Sequence, residues 1–157
     1  MAKATGLGWS TLTVSDSSGT NQIDIRDDVT DLSFATPRGV QDTTGLDVSA
    51  HERLLLLADF SITPKGVFNS AVSHAVFKTV PSTSVNRPTI ITVNATNLQA
   101  NCLYSDYAIT RGNTGELTWT APGALADGNV PVWSLCLVSR TLKGLRWVSR
   151  HRRRCSS

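Results

Sequence analysis

Glu52-Arg53-Leu54-Leu55-Leu56-Leu57-Ala58-Asp59-Phe60-Ser61-Ile62 holds the longest apolar run of this 157-residue chain. Two periods compete in it. Ser49, three residues before Glu52, resembles a capping box, and the leucines could open a helix. Against this, Leu54, Leu56, Ala58, Phe60 and Ile62 recur at every second position without a break. That is the period of a strand with one buried face. The opposite face is mixed: Arg53, Leu55, Leu57, Asp59, Ser61 and Thr63. The strand reading is preferred. Leu54–Ala58 also falls well short of the ~18 apolar residues that a membrane helix needs.

Alternation continues on both sides. Upstream, Trp9 to Val14 alternates and is rich in β-branched residues. Ser15 to Asn21 is turn chemistry, with small side chains that hydrogen-bond their own backbone and Gly19 for a positive φ. Ile23 and Ile25 share a face, as do Leu32 and Phe34, and Pro37 ends that run because it lacks a ladder donor. Pro37 to Ser49 is polar and reads as a long loop, a feature usually functional or disordered in a compact domain. Downstream, Pro64-Lys65-Gly66 reads as a turn. Asn69 to Phe77 reads as one short helix, with Val72, Val76 and Phe77 on one side and Asn69 or Ser70 as cap. Strands are expected at Thr89–Val93, Leu103–Ile109 and Glu116–Thr120, with Asn94 to Asn97 and Arg111 to Gly115 as turns, and a further turn at Asp127-Gly128-Asn129 before Val130 to Trp133. Seven or eight short strands with one short α-helix predict a mainly β, antiparallel β-sandwich or small barrel.

Composition narrows the function classes. Charged residues are 17% of the chain, with 19 Thr and 17 Ser taking their place. The net charge of +3 hides a split. Residues 1–133 hold 8 Lys or Arg against 12 Asp or Glu, a net charge of −4, while residues 134–157 hold seven Lys or Arg and no acid. The chain therefore divides into a β domain, 1–133, and a basic C-terminal extension, 134–157, expected to be disordered. Met1 to Thr5 lacks the apolar core of a secretory signal, and three widely spaced cysteines do not make a disulfide framework. A reducing compartment is expected.

The residues that carry chemistry form no reactive constellation. There is no H-E-x-x-H, G-x-S-x-G, Walker loop or paired C-x-x-C. Gly6-Leu7-Gly8 is not followed by a βαβ pattern, which argues against a dinucleotide site. His51 and His74 have no sequence context that makes a triad. Cys102, Cys136, His151 and Cys155 contain one close pair, where a structural zinc site uses two, so surface or semi-buried thiols are the better reading. Asp24, Asp27, Asp28 and Asp31 lack the central Gly of a calcium loop and read as a solvated turn. Arg150 to Arg154 could meet nucleic acid or an anionic surface, but Trp147 alone is no stacking platform. No enzyme activity, cofactor, metal or membrane binding is expected. A β-rich shell, a long polar loop and an acidic balance suit assembly better than catalysis.

Four segments in order carry a resemblance. Asp47 to Asn69, containing the leucine run, then Ser61-Ile62-Thr63 and Gly66-Val67-Phe68, resembles the central signature of siphophage major tail (tail tube) proteins. Ala71 to Phe77 resembles the short helix that follows. Asp106 to Thr110 with Gly115 to Trp119, and then Asp127 to Trp133, resemble the closing hairpin and last strand. The likeness covers roughly residues 9–133 and is nearest to tail proteins of actinobacterial phages or prophages. Such proteins stop soon after the position of Trp133. Residues 134–157 depart from them, as a lineage extension or as the product of an altered reading frame.

The resemblance implies a structural virion subunit. Its copies would form stacked, hexameric rings, a tail tube through which double-stranded DNA leaves, with other tail proteins at the tube ends. The location would be the virion tail, and the host cytoplasm during assembly. The stretch Pro37, Arg38, Gly39, Val40, Gln41, Asp42, Thr43, Thr44, Gly45, Leu46 and Asp47 would be the loop that reaches a neighbouring subunit or ring. Alternatives are a tail terminator or capsid decoration protein, which can share such a fold. A carbohydrate-binding module would need Trp9, Trp119 and Trp133 exposed on one face.

Overall fold

A computed structural model describes residues 9–135. Twelve strands and one short helix make up that region. β1 (Trp9–Ser15), β2 (Gln22–Asp24) and β3 (Val29–Ala35) come first. β4 (Arg38–Asp42) and β5 (Arg53–Ala58) form a separate two-stranded sheet. β6 (Ser61–Val67), α1 (Ser73–Phe77), β7 (Arg87–Val93), β8 (Thr96–Tyr104), β9 (Ala108–Arg111), β10 (Leu117–Thr120), β11 (Gly123–Leu125) and β12 (Val132–Leu135) follow. All ladders are antiparallel. Ten strands join in one sheet, running β2-β1-β7-β8-β11-β6-β10-β9, with β12 on β8 and β3 on β6. The sheet curls into a half-barrel, so of the two expected arrangements the partly closed barrel is the observed one.

The inner face holds the core. Leu12 and Val14 of β1 meet Ile91 of β7, Leu98 and Ala100 of β8, Phe60, Ile62 of β6, Trp119 of β10, and Val76 and Phe77 of the helix. Phe77 packs edge-on against Tyr104 and tilted against Trp119, with centroids 5.0 and 5.2 Å apart. Trp119 is fully buried and its indole N–H donates to the Val67 carbonyl at 2.9 Å, which settles its polar end. Arg87 is buried too. Its guanidinium donates to the carbonyls of Ser15 and Val76 and to the Thr79 hydroxyl, fastening β1 and the end of the helix to β7.

Several expected boundaries move, each for a local reason. The helix begins at Ser73 rather than Asn69, because Asn69 uses its side chain to accept from the Ala71 N–H and to donate to Asp28. Asp28 also accepts the Ser73 N–H at 3.0 Å, capping the helix from 45 residues away. It is therefore a buried structural acid and not part of a solvated turn. Asn94 and Ala95 take φ of 47° and 62° and make a two-residue turn, so Thr96 and Asn97 join β8 instead of staying in a loop. The segment expected as one strand over Leu103–Ile109 is the end of β8 and a separate β9. Cys102 is wholly buried. Cys136, Trp147, His151, Cys155 and the remainder of the basic extension lie outside the described residues.

Pro64-Lys65-Gly66 is the interior of β6, not a turn. The Pro64 carbonyl accepts from the Ala121 N–H, so its missing donor points to the same side, where β10 and β11 are interrupted. Gly66 is needed for close approach. A Cβ there would sit 1.8 Å from the Asp28 carbonyl oxygen, a backbone atom that cannot swing aside. Gly66→Ala is expected to destabilise the body by about 3 kcal/mol or more, within the cost of forced overpacking. The thermal midpoint should fall by roughly 10 °C. Differential scanning calorimetry checks this, and an unchanged midpoint would contradict the packing.

Candidate assembly interface

The leucine run does not continue into the core. Only the later members of its alternating set, Phe60 and Ile62, are buried. Leu54 is 55% exposed, Leu55 57% and Leu57 91%. The physical reason sits at residues 59 and 60. The Asp59 N–H donates to the Pro37 carbonyl at 2.9 Å, and the Asp59 carboxylate accepts the Phe60 N–H at 2.7 Å. These bonds close the neck of a hairpin and turn the chain back into β6. The expected single strand is thus two, β5 outside the sheet and β6 inside it.

The expected loop is corrected in the same way. Arg38 to Asp42 form β4 and pair with β5 in the register Val40↔Leu55, Gln41↔Leu54 and Asp42↔Arg53. The register slips between Arg38 and Val40. There the Arg38 Nε donates to the Leu56 carbonyl, and Gly39 lies so close to Leu56 that a Cβ would meet its Cδ1 at 3.1 Å. Pro37 stands at the neck, and Thr43, Thr44, Gly45, Leu46 and Asp47 make the tip. All of residues 37–57 are exposed.

Polar chemistry at the tip is self-contained. The Thr43 N–H donates to the Glu52 carbonyl at 2.9 Å. The Asp42 carboxylate accepts from the Thr44 N–H and hydroxyl, and His51 Nδ1 lies 3.1 Å from its other oxygen. The Thr44 hydroxyl in turn accepts the Glu52 N–H at 3.0 Å. Donation from Thr44, first by its hydroxyl and then by its backbone, with His51 adding less, holds Asp42 below the usual carboxylate range. So the candidate residues 37–47 lie together on one projection. Sequence reasoning missed its other half, Leu54 to Leu57. The signal was available: Leu55 and Leu57 on the supposedly solvent face leave β5 apolar on both sides.

Other candidates do not converge. His74 packs between Phe68 and Tyr107, far from forming a triad. Among the described residues no group of His, Cys, Asp and Glu could hold a metal ion, and no helix is long and apolar enough to cross a membrane. Trp119 is in the core, Trp9 packs on Phe34, and Trp133 is half-exposed with its ring 6.2 Å from Phe34. The three do not make one aromatic face.

The fold has counterparts among solved structures. A chain of the native gene transfer agent virion matches with a TM-score of 0.67 at 14% identity, covering 84% of this chain and 99% of that one. A chain of the empty gene transfer agent particle's tail, refined with C6 symmetry, matches at 0.68 and 16% identity, covering 85% and 98%. A chain of the anti-feeding prophage baseplate, six-fold symmetrised, matches at 0.58 and 12%, covering 88% and 99%. Each match spans nearly the whole length of the other chain, and the likeness is one of fold. No family model and no curated protein matches the sequence.

Two outcomes test the hairpin's independence. Joining Pro37 to Asp59 through a short Gly-Ser linker in place of residues 38–58 should leave the thermal midpoint within about 3 °C of the parent. It should also reduce binding of an apolar dye, leaving only what the exposed apolar residues of the body retain. A large drop in midpoint would show that the body leans on the hairpin. The second concerns pH. Because Asp42 titrates below its unfolded value, its contribution is present above the ordinary carboxylate range. It is lost as pH falls through the lowered value. Protection of the Thr44 amide against exchange, taken relative to the intrinsic rate at each pH, should therefore hold through mild acid and fall only as pH drops through the lowered value. Asp42→Asn should reduce that protection already at neutral pH.

Proposed function

We propose that this chain is a structural subunit of a phage-like tail, a tail tube protein of the siphophage type, nearest to those of actinobacterial phages or prophages. The observation that carries this is a leucine hairpin apolar on both faces and fully outside the body. In water it has no stable purpose unless another surface covers it. A lone two-stranded hairpin is marginal, and adding strands or a packed face stabilises it. The likeness to chains from six-fold tail and baseplate assemblies supplies the geometry in which copies of one subunit cover each other.

The half-barrel supports the same reading. β2, β3, β9 and β12 each have one edge without a strand partner among the described residues. Open edges invite further pairing, a liability that a closed ring turns into its interface. In this proposal residues 37–47, with Leu54 to Leu57, form the contact to a neighbouring subunit or ring. Rings stack as a tube for double-stranded DNA, with other tail proteins at its ends. The net negative balance of residues 1–133 suits passage without sticking. The seven cationic residues of 134–157 would bind phosphate, so this extension lies away from the lumen. The protein acts in the virion tail after assembly in the host cytoplasm, and it carries no catalytic step.

Negative-stain microscopy of the concentrated protein is expected to show rings of uniform diameter or tubes. The variant lacking residues 38–58 is expected to show neither. A chain that stays monomeric at high concentration, both alone and with tail-assembly partners, would overturn the proposal.

A further inference from the structure

We propose that the tip of the hairpin lands on the β9–β10 rim of a second copy, with Leu46 and Val48 against Ile109 and Leu117, and the carboxylates of Asp47 and Glu52 facing Arg111. This rests on the self-assembly reading above and names the receiving surface. The tip carries its own two apolar groups, Leu46 fully exposed and Val48 partly so. Around them the acids Asp42, Asp47 and Glu52 outnumber the cation Arg53. The surface it needs is therefore apolar with a free positive charge.

Among the described residues, two rims of the body, β12 and β9–β10, each carry more than one exposed large apolar side chain, whereas Val67 and Leu103 lie on other strands. On β12, Val132 is exposed, and it lines a shallow pocket together with Val130 and Asp127. An acidic tip would meet like charge there. The other rim is on β9 and β10. Leu117 pairs with Arg111, and Ile109 pairs with Trp119, so Ile109, Arg111 and Leu117 share the face on which Trp119 enters the core. Ile109 and Leu117 lie beyond the edge of that core and are exposed. Arg111 makes no ion pair among the described residues. Glu116, the nearby acid, alternates to the other face and is held by the Thr114 hydroxyl. β9 is also a terminal strand, so its unpaired backbone edge borders the same rim. The chain's own residues 136–157 would be a poor occupant, since they are basic and would face Arg111. The contact is heterologous, tip to rim, and so propagates from copy to copy.

Cross-linking tests this. In a background with Cys136→Ser and Cys155→Ser, protein carrying Leu46→Cys is mixed with protein carrying Leu117→Cys and mildly oxidised. A mixed disulfide dimer is expected in several-fold greater yield than from Leu46→Cys mixed with Val132→Cys. Adding Arg111→Glu to the rim partner should reduce the yield several-fold, and Glu52→Arg in the tip partner should restore part of it. Assemblies that form with the Val132 cross-link preferred, or with no response to Arg111→Glu, would overturn the landing site and leave self-assembly standing. No assembly and no cross-link would overturn both.

Discussion

Strand β6 is flanked by strands on both edges, and the body is arranged around it. β3 lies on one side, while β10 and β11 share the other. That position demands a strand without protruding bulk at Gly66, where the Asp28 backbone crosses, and tolerates Pro64 because the partner strand is broken opposite it. It also requires Phe60 and Ile62 on the inner face. Asp28 links this arrangement to the helix, because the same turn that crosses Gly66 supplies the cap for Ser73. A chain that satisfies β6 has no seat left for the four leucines that precede it.

The leucines are therefore carried outward on a hairpin whose neck is closed by Pro37 and Asp59. This separates two kinds of apolar surface. The core is buried by the chain's own folding, at roughly 25 cal/mol for each Å² of apolar area removed from water. The hairpin's apolar area stays in water in this fold, so in the proposed assembly the same driving force would act on association. The polar tip, built on Asp42, Thr44 and His51, lets this apolar projection keep a defined shape while it is uncovered. Shape held in advance lowers the entropy lost on docking.

Charge divides the surface along similar lines. The tip is acidic, the β12 rim is neighboured by Asp127, and the β9–β10 rim carries Arg111. Apolar patches alone would let copies associate in many ways. In the proposed contact, acid at the tip would favour one landing place and disfavour the other, which is how register is selected between otherwise similar apolar surfaces.

The sequence by itself determined the fold class, because period-2 alternation and turn residues depend on local chemistry: Trp9 to Val14, the Arg111 to Gly115 turn and the short helix were all legible. It marked the candidate stretch 37–47 but read as loop what is in part strand β4. Only the tertiary structure decided that Leu54 and Leu56 belong outside while Phe60 and Ile62 belong inside. All four occupy the same alternating set, and periodicity assigns a face without saying whether anything covers it. Likewise Asp28 and its three acidic neighbours read alike in sequence. Burial picked out Asp28 because helix α1, 45 residues further on, places an unpartnered N–H against it. Contacts between distant segments have no local signature, and they fixed which of the locally equivalent residues became core and which became surface.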